Sequence, residues 1–337
     1  MFVPVVDKNR NPLMPTTPSR ARRWIKCGKA TPFWSDKVFC VRLNFDPSGT
    51  EKQDVVVGID PGSKREAFTV KSESHTYLNV LADAVTWVKD VMEERRIARR
   101  SRRQRKTPCR LGRENRVRGG IPPSTRARWQ LKLRIVNRLR RVFPITDFVV
   151  EDIKAVTKGG KRKWNASFSP LEVGKDWFYS ELRKLGSLTI KQGYETFELR
   201  NTLGLKKTAL KMSESFDAHN VDSWVLANFL VGGHVKPDNT EINRLIPIQF
   251  HRRQLQRFQP SKGGERKRYG GTMSLGFKKG SLVRNRKYGI CYVGGHSENR
   301  LSLLDLETGK RLCRNARVEN TRFLAYNSFR SGVVAKG

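Results

Sequence analysis

The sequence has little acidic charge to set against its basic charge. Its 337 residues include 68 lysines and arginines but only 31 aspartates and glutamates, which gives a formal net charge of +37. A chain with such an excess repels itself unless a polyanion neutralises it. Phosphate backbones neutralise Arg and Lys and release counterions on binding, so the composition predicts a nucleic-acid partner.

Long hydrophobic runs and paired cysteines are also missing. No stretch approaches the ~20 apolar residues that a transmembrane helix needs, so we expect no membrane partner. The five cysteines are far apart and include no C-x-x-C pair. This spacing argues against a zinc ribbon and against a disulfide framework. We therefore expect a protein of the reducing cytoplasm.

Apolar patterning divides the chain into three parts. Residues 1–46 predict a small unit of strands around one helix, with Thr17 as the N-cap and the end near Gly28. Between Val55 and residue 259, strands alternate with helices, which is typical of an α/β domain. After Pro260, short Gly-rich segments predict hairpins of a small β-barrel.

The individual elements follow from periodicity. The predicted strands of the first two parts are Phe2–Val6, Val38–Phe45, Val55–Ile59, Ala67–Val70, Tyr77–Leu81, Asp147–Val150 and Leu188–Ile190. The predicted helices are residues 81–92, Thr125–Val142, Leu171–Leu185 and Ser215–Val231. Hairpin strands are predicted at Ser281–Val283, Gly289–Val293, Leu301–Leu306 and Arg311–Cys313.

Three acids and one histidine occupy positions from which they can converge. Asp60 and Glu151 each end an apolar strand, and His219 and Asp222 are three apart on one helix face. Phosphodiester hydrolysis with two metal ions needs carboxylates that bridge and flank the ions, and His219 can bind an ion or handle a proton. Each residue also has a structural interpretation: Asp60 as a turn residue, Glu151 as a strand-end charge, and the helical pair as solvated side chains.

A basic segment stands between the first two acids. Residues 95–118 include 12 arginines and lysines in 24 positions, and Ile97 and Leu111 are almost the only large apolar side chains. A segment that is polar on all sides cannot pack on a core, so it stays solvated or lies between other partners.

These motifs resemble those of a known family. Val56-Val-Gly-Ile-Asp-Pro-Gly62, Phe148-Val-Val-Glu151 and Ala218-His-Asn-Val-Asp222 resemble the three split motifs of RuvC-type nucleases. The 95–118 segment resembles the arginine-rich bridge helix of RNA-guided effectors, and Asn11-Pro-Leu-Met-Pro15 resembles the N-terminal signature of IscB and IsrB proteins. Residues 152–212 contain no His or Cys, which leaves no place for the HNH domain of IscB, so the better match is IsrB.

The resemblance implies an α/β fold in which an RNase H-like (RuvC) domain is split by an arginine-rich bridge helix. A small N-terminal α+β unit and a small C-terminal β-barrel-like domain complete it. The expected divisions are 1–54 for the N-terminal unit and linker, 55–92 for the first RuvC segment, 93–120 for the bridge helix, 121–259 for the remaining RuvC segments and 260–337 for the C-terminal domain, which contacts a flanking DNA motif.

The resemblance also implies a function, that of an RNA-guided DNA endonuclease that nicks the non-target strand at a single RuvC centre. The nuclease residues are then Asp60, Glu151, His219 and Asp222, with the three acids as ligands of two Mg²⁺ ions for which Mn²⁺ substitutes. The expected partners are a structured noncoding guide RNA and double-stranded target DNA with a short flanking motif. We expect a monomer in a 1:1 complex with RNA, in a prokaryotic cytoplasm and associated with the nucleoid.

The basic residues divide into two expected contact sets. The guide RNA and heteroduplex are expected to contact Arg95, Arg96, Arg99, Arg100, Arg102, Arg103, Arg105, Lys106, Arg110 and Arg113. The flanking DNA motif is expected to contact Lys278, Lys279, Arg284, Arg286 and Lys287.

Three alternatives stay open at this point. A junction-resolving RuvC homodimer keeps the nuclease fold without the guide, although it does not need the additional basic segments. A transposase uses an RNase H-like metal site for strand transfer. A non-catalytic RNA-binding protein needs no metal centre, and in it the four site residues are structural.

Overall fold

The computed structural model describes most of the chain. The described residues are 2–35, 38–49, 51–104, 120–152, 171–210, 212–249, 258–259, 264–265, 273–326 and 329–334. They form two compact units, one of Met1–Arg244 with Val333–Gly337 and one of Leu245–Gly332. The mixed α/β class expected from the sequence is confirmed.

A four-stranded sheet with one helix forms the N-terminal part of the first unit. Its elements are β1 (Val3–Val6), β2 (Pro12–Thr16), α1 (Pro18–Lys26), β3 (Ala30–Ser35) and β4 (Val38–Leu43), with the strand order β2-β1-β4-β3. The Thr17 hydroxyl caps α1 by accepting from the Arg20 amide, as predicted, and Ala21 is buried against the sheet. The pattern did not predict β2 or β3.

The main sheet of the first unit determines where the candidate site lies. Six of its seven strands are β5 (Val56–Asp60), β6 (Arg65–Lys71), β7 (Thr76–Asp83), β8 (Asp147–Asp152), β9 (Ser187–Gln192) and β10 (Ile242–Pro247), in the order β10-β7-β6-β5-β8-β9. Strands β5, β6 and β7 are antiparallel neighbours, whereas β5, β8 and β9 are parallel. The carboxyl ends of β5 and β8 therefore meet at the same sheet edge.

Five helices accompany this sheet in the described part of the first unit. They are α2 (Val88–Gln104), α3 (Pro123–Leu139), α4 (Lys175–Arg183), α5 (Gly193–Thr202) and α6 (Phe216–Val231). The apolar helix α6 packs directly on the sheet, where Leu226 and Ala227 join Val56 and Val149 in a buried cluster. In the part of the chain that the structure describes, no helix has the length and apolarity needed to cross a bilayer.

The helix predicted over residues 81–92 is wrong in its first half. Strand β7 continues through Asp83, because Leu81 and Ala82 pair with Ala67 and Glu66 of the neighbouring strand β6. Both faces of β7 are buried, so the apolar spacing reflects a fully covered strand. The helix begins only at Val88.

The second unit is built on an antiparallel sheet. Its elements are β11 (Phe258–Gln259), β12 (Gly264–Glu265), β13 (Met273–Ser274), β14 (Phe277–Lys278), β15 (Ser281–Asn285), β16 (Gly289–Ser297), β17 (Arg300–Leu304), β18 (Arg311–Ala316) and β19 (Thr321–Tyr326), while the last strand, β20 (Phe329–Val334), crosses the boundary between the two units. Five of them form a sheet in the order β18-β17-β16-β15-β19. The predicted hairpin strands are confirmed. Closure into a barrel stays a prediction, because no pairing between the end strands β18 and β19 is present among the described residues.

Candidate metal centre

Three buried or half-buried carboxylates converge at the carboxyl edge of the main sheet. Asp60 is the last residue of β5, and Glu151 lies on the adjacent parallel strand β8, whose register pairs Ile59 with Val150. Asp222 reaches the same point from α6, and its side chain is 3% exposed. Oxygens of the three carboxylates all lie within 4.8 Å of one another. The convergence expected from the sequence is present, and the metal-binding role stays a prediction.

Helix α6 also brings His219 to this point. The predicted spacing of three residues places His219 and Asp222 on one face, and His219 Nδ1 lies 3.5 Å from Asp60 Oδ2. Burial acts to raise the pKa of Asp60, but the hydrogen bond with His219 and the charge of Lys207 outweigh burial and lower that pKa. Asp60 is therefore ionised at neutral pH.

The pKa of Glu151 is shifted in the opposite direction. Burial, together with the negative charges of Asp60 and Asp222, raises the pKa of Glu151 to about 8. Burial and the two neighbouring carboxylates together disfavour a further negative charge on Glu151. Oxygen-only donors at these separations fit a hard divalent cation such as Mg²⁺.

Sequence reasoning missed two cationic residues at the site. Arg200 of α5 and Lys207 of the segment before α6 form ion pairs with the two carboxylate oxygens of Asp222. Burial acts to lower the pKa of Lys207, but the charges of Asp60, Asp222 and Glu151 outweigh it and raise that pKa. No spacing rule identifies these two residues, because each meets Asp222 through the tertiary packing of α5 against α6.

If the three carboxylates bind a metal ion, the raised pKa of Glu151 makes that binding pH-dependent. At pH 7 we expect Mg²⁺ binding to release about one proton, because a carboxyl group below its pKa of about 8 must lose its proton to coordinate an ion. The apparent affinity should rise from pH 6 to pH 8 and then level off. Calorimetry in two buffers of different ionisation enthalpy measures the proton count, and Glu151→Gln should abolish the release. Binding that is independent of pH would contradict this prediction.

The basic residues expected to contact RNA lie partly on α2. The side chains of Arg96, Arg99, Arg100 and Arg103 are exposed and that of Arg95 is half-buried, while Arg96 pairs with Glu93. The Arg102 side chain and the residues Arg105, Lys106, Arg110 and Arg113 lie outside the described residues. Contact with RNA stays a prediction for the whole set.

The residues expected to contact a flanking DNA motif lie in the second unit. Lys278, Arg284, Arg286 and Lys287 are exposed, and burial lowers the pKa of the half-buried Lys279. They are distributed over β14, β15 and the adjoining turns. Their contact with DNA stays a prediction.

Comparison with known proteins adds a family match. The chain matches the RRXRR protein family over residues 3–162. The match covers slightly less than half of the 337 residues. Arg99-Arg100-Ser101-Arg102-Arg103 of this chain has the spacing of the family name. No curated protein matches the chain.

Two solved structures are similar to part of the chain. RuvC of T. thermophilus in complex with a Holliday junction substrate has 13% identity and a TM-score of 0.29, with 54% of this chain and 98% of that chain covered. Another structure of Thermus thermophilus RuvC has 14% identity and a TM-score of 0.26, with 51% of this chain and 90% of that chain covered.

Proposed function

We propose that this protein is an RNA-guided DNA endonuclease that nicks the displaced, non-target strand at a single metal-dependent centre. The observation that carries the proposal is the convergence of Asp60, Glu151 and Asp222, with carboxylate oxygens within 4.8 Å of one another, in a chain of net charge +37. Acids concentrated at one point of so basic a protein suit a dication that acts on a phosphodiester.

The topology supports a nuclease of the RNase H-like class. Three antiparallel strands, β7, β6 and β5, are followed by two parallel strands, β8 and β9, and α6 covers this sheet. This strand order is the one expected of an RNase H-like domain. It places Asp60 at the end of β5 and Glu151 on the adjacent strand β8. The RRXRR family, which the first part of the chain matches, is associated with IscB- and IsrB-like proteins.

The site residues have separate tasks in this proposal. Asp60, Glu151 and Asp222 hold the metal, for which we propose two Mg²⁺ ions with Mn²⁺ as a substitute. Bound divalent ions supply the Lewis acidity that activates water and stabilises the leaving oxygen. Glu151 releases its proton when it becomes a ligand. His219, whose Nδ1 faces Asp60, orients that carboxylate and takes up or delivers a proton at the ring.

Guide RNA binding rests on the exposed arginines of α2. None of the described side chains of α2 is buried, so its arginines are available to a partner. An arginine helix of this kind contacts phosphates of RNA on one face and of a heteroduplex on another. In guided systems base pairing reads the target sequence, and the protein holds the hybrid by shape and backbone.

One metal centre predicts that one strand is cut. Supercoiled plasmid with a target beside a randomised flanking motif is incubated with the protein and its co-expressed flanking noncoding RNA. We expect open circles that require guide, target and Mg²⁺, and that disappear with the isosteric variant Asp60→Asn. Asp176→Asn is the matched control, because Asp176 is a first-turn acid of α4 outside the metal centre.

Other products would contradict the proposal in identifiable ways. Guide-independent cutting of branched DNA would favour a junction resolvase, and joining of strands would favour a transposase. Tight RNA binding without any cleavage, equal in wild type and Asp60→Asn, would favour a non-catalytic RNA-binding protein.

A further inference from the structure

Helix α5 runs along the metal centre. At its first residue, a Cβ atom placed on Gly193 would lie 3.1 Å from Glu151 Oε1, so the backbone closely borders that carboxylate. Two turns later, Arg200 forms its ion pair with Asp222. The helix therefore borders two of the three proposed metal ligands.

Two aromatic rings on α5 are exposed to solvent. Tyr194 is 65% exposed and Phe197 is 52% exposed, and their spacing of three places them on the same helix face. The inner face of the helix is already formed by Thr196, which is buried, and by Leu199, which packs on the core cluster of α6. The rings are therefore not needed to attach α5 to the protein.

A cationic group borders one of these rings. The Arg200 guanidinium lies 5.3 Å from the centre of the Phe197 ring. Two acids also lie on α5: Glu195 is engaged with the Gln192 amide and with Lys191, and Glu198 is exposed beside Phe197. Exposed rings with a guanidinium beside one of them suit a ligand that combines flat aromatic groups with phosphates.

We propose that Tyr194 and Phe197 form a stacking platform for the bases of single-stranded DNA whose backbone enters the metal centre. The inference rests on the proposed nuclease function and identifies its substrate at the site as an unpaired strand. Stacking requires a free base face, which a base within a duplex does not offer. Every base has such a face, so the platform tolerates any sequence.

A crosslinking experiment locates the platform directly. The full chain, purified with its co-expressed RNA and without added Mg²⁺, is mixed with a single-stranded oligodeoxynucleotide that carries 5-iodouracil. Long-wavelength irradiation couples this base to a stacked aromatic ring, and peptide mapping identifies the ring. We expect crosslinks at Tyr194 or Phe197 with the single strand and their loss with the same sequence as a duplex. Crosslinks confined to other residues, or equal with duplex, would overturn the proposal.

Variants separate stacking from apolar packing. Tyr194→Ala with Phe197→Ala should weaken the binding of the single strand by tenfold or more, because each stacked base contributes roughly five- to hundredfold. Tyr194→Phe with Phe197→Tyr should retain binding, whereas leucine at both positions should not. Trp34→Ala is the matched control, because Trp34 is 64% exposed but lies in the N-terminal sheet. Wild-type binding by the leucine variant would overturn the stacking role.

The outcomes also separate this inference from the proposed function. If guided nicking occurs in the wild type and is unchanged in the alanine variant, the platform is refuted and the nuclease function stands. If no nicking occurs but the single strand still crosslinks to Tyr194 or Phe197, the platform stands and the nickase proposal fails. Crosslinking of single-stranded RNA in preference to DNA would overturn the assignment of the ligand.

Discussion

Replacing Gly58 by alanine is expected to destabilise the first unit by about 3 kcal/mol. A Cβ atom at this position would lie 1.9 Å from the Ser223 carbonyl oxygen and 2.8 Å from the Ala227 amide nitrogen. Both atoms belong to the backbone of α6, so no side-chain rotation relieves the overlap. The helix would have to move away from β5, and Asp222 would move with it.

Chemical denaturation followed by tryptophan fluorescence measures this effect, since Trp224 is fully buried on α6. Gly49→Ala is the matched control, because a Cβ atom there meets nothing within 4 Å. We expect the control to remain within about 0.5 kcal/mol of the wild type. If the two variants are equally stable, α6 does not approach β5 as closely as the structure has it.

The candidate site was largely predictable from local signals. Asp60 and Glu151 end apolar strands, and parallel pairing then forces them together, while helical spacing links His219 to Asp222. Each inference needs only a few neighbouring residues. Arg200 and Lys207 could not be predicted in this way, because their contacts with Asp222 depend on how α5 packs on α6.

The fold shows the same division between local and tertiary information. Helix α6 was predictable because Val221, Trp224 and Val225 recur at helical spacing, and all three are buried in the structure. Helix α5 was not predicted, because it has no strong apolar periodicity and only its Leu199 packs on the core around α6. The strand character of residues 81–83 was hidden because a fully buried strand has no alternating pattern.

Removing one partner of the buried ion pair between Glu66 and Lys132 is expected to cost about 3–5 kcal/mol. Lys132 Nζ of α3 lies 3.0 Å from Glu66 Oε2 of β6, and both side chains are 0% exposed. Burial raises the pKa of Glu66 and lowers the pKa of Lys132, despite the attraction between the two groups. Lys132→Met therefore leaves a buried carboxyl group without its cation.

A double-mutant cycle tests whether this cost comes from the orphaned charge. Glu66→Leu combined with Lys132→Met should be far less destabilising than either single change, because no unpaired charge stays buried. The exposed pair of Lys184 and Glu181 is the control, and its removal should change stability by at most about 1 kcal/mol. Additive costs in the buried cycle would mean that the two groups do not depend on each other.

Glu66 also lies near the proposed metal centre, because the next residue of β6, Ala67, pairs with Asp60 of β5. The negative charge of Asp60 is among the causes that raise the pKa of Glu66. With Lys132 removed, an ionised Glu66 would add negative charge behind the three carboxylates. The single variant Lys132→Met should therefore lose stability mainly at high pH, where Glu66 ionises, and the double variant should lose this pH dependence. A Lys132→Met variant with the same deficit at pH 5 and pH 9 would place its effect in packing rather than in charge.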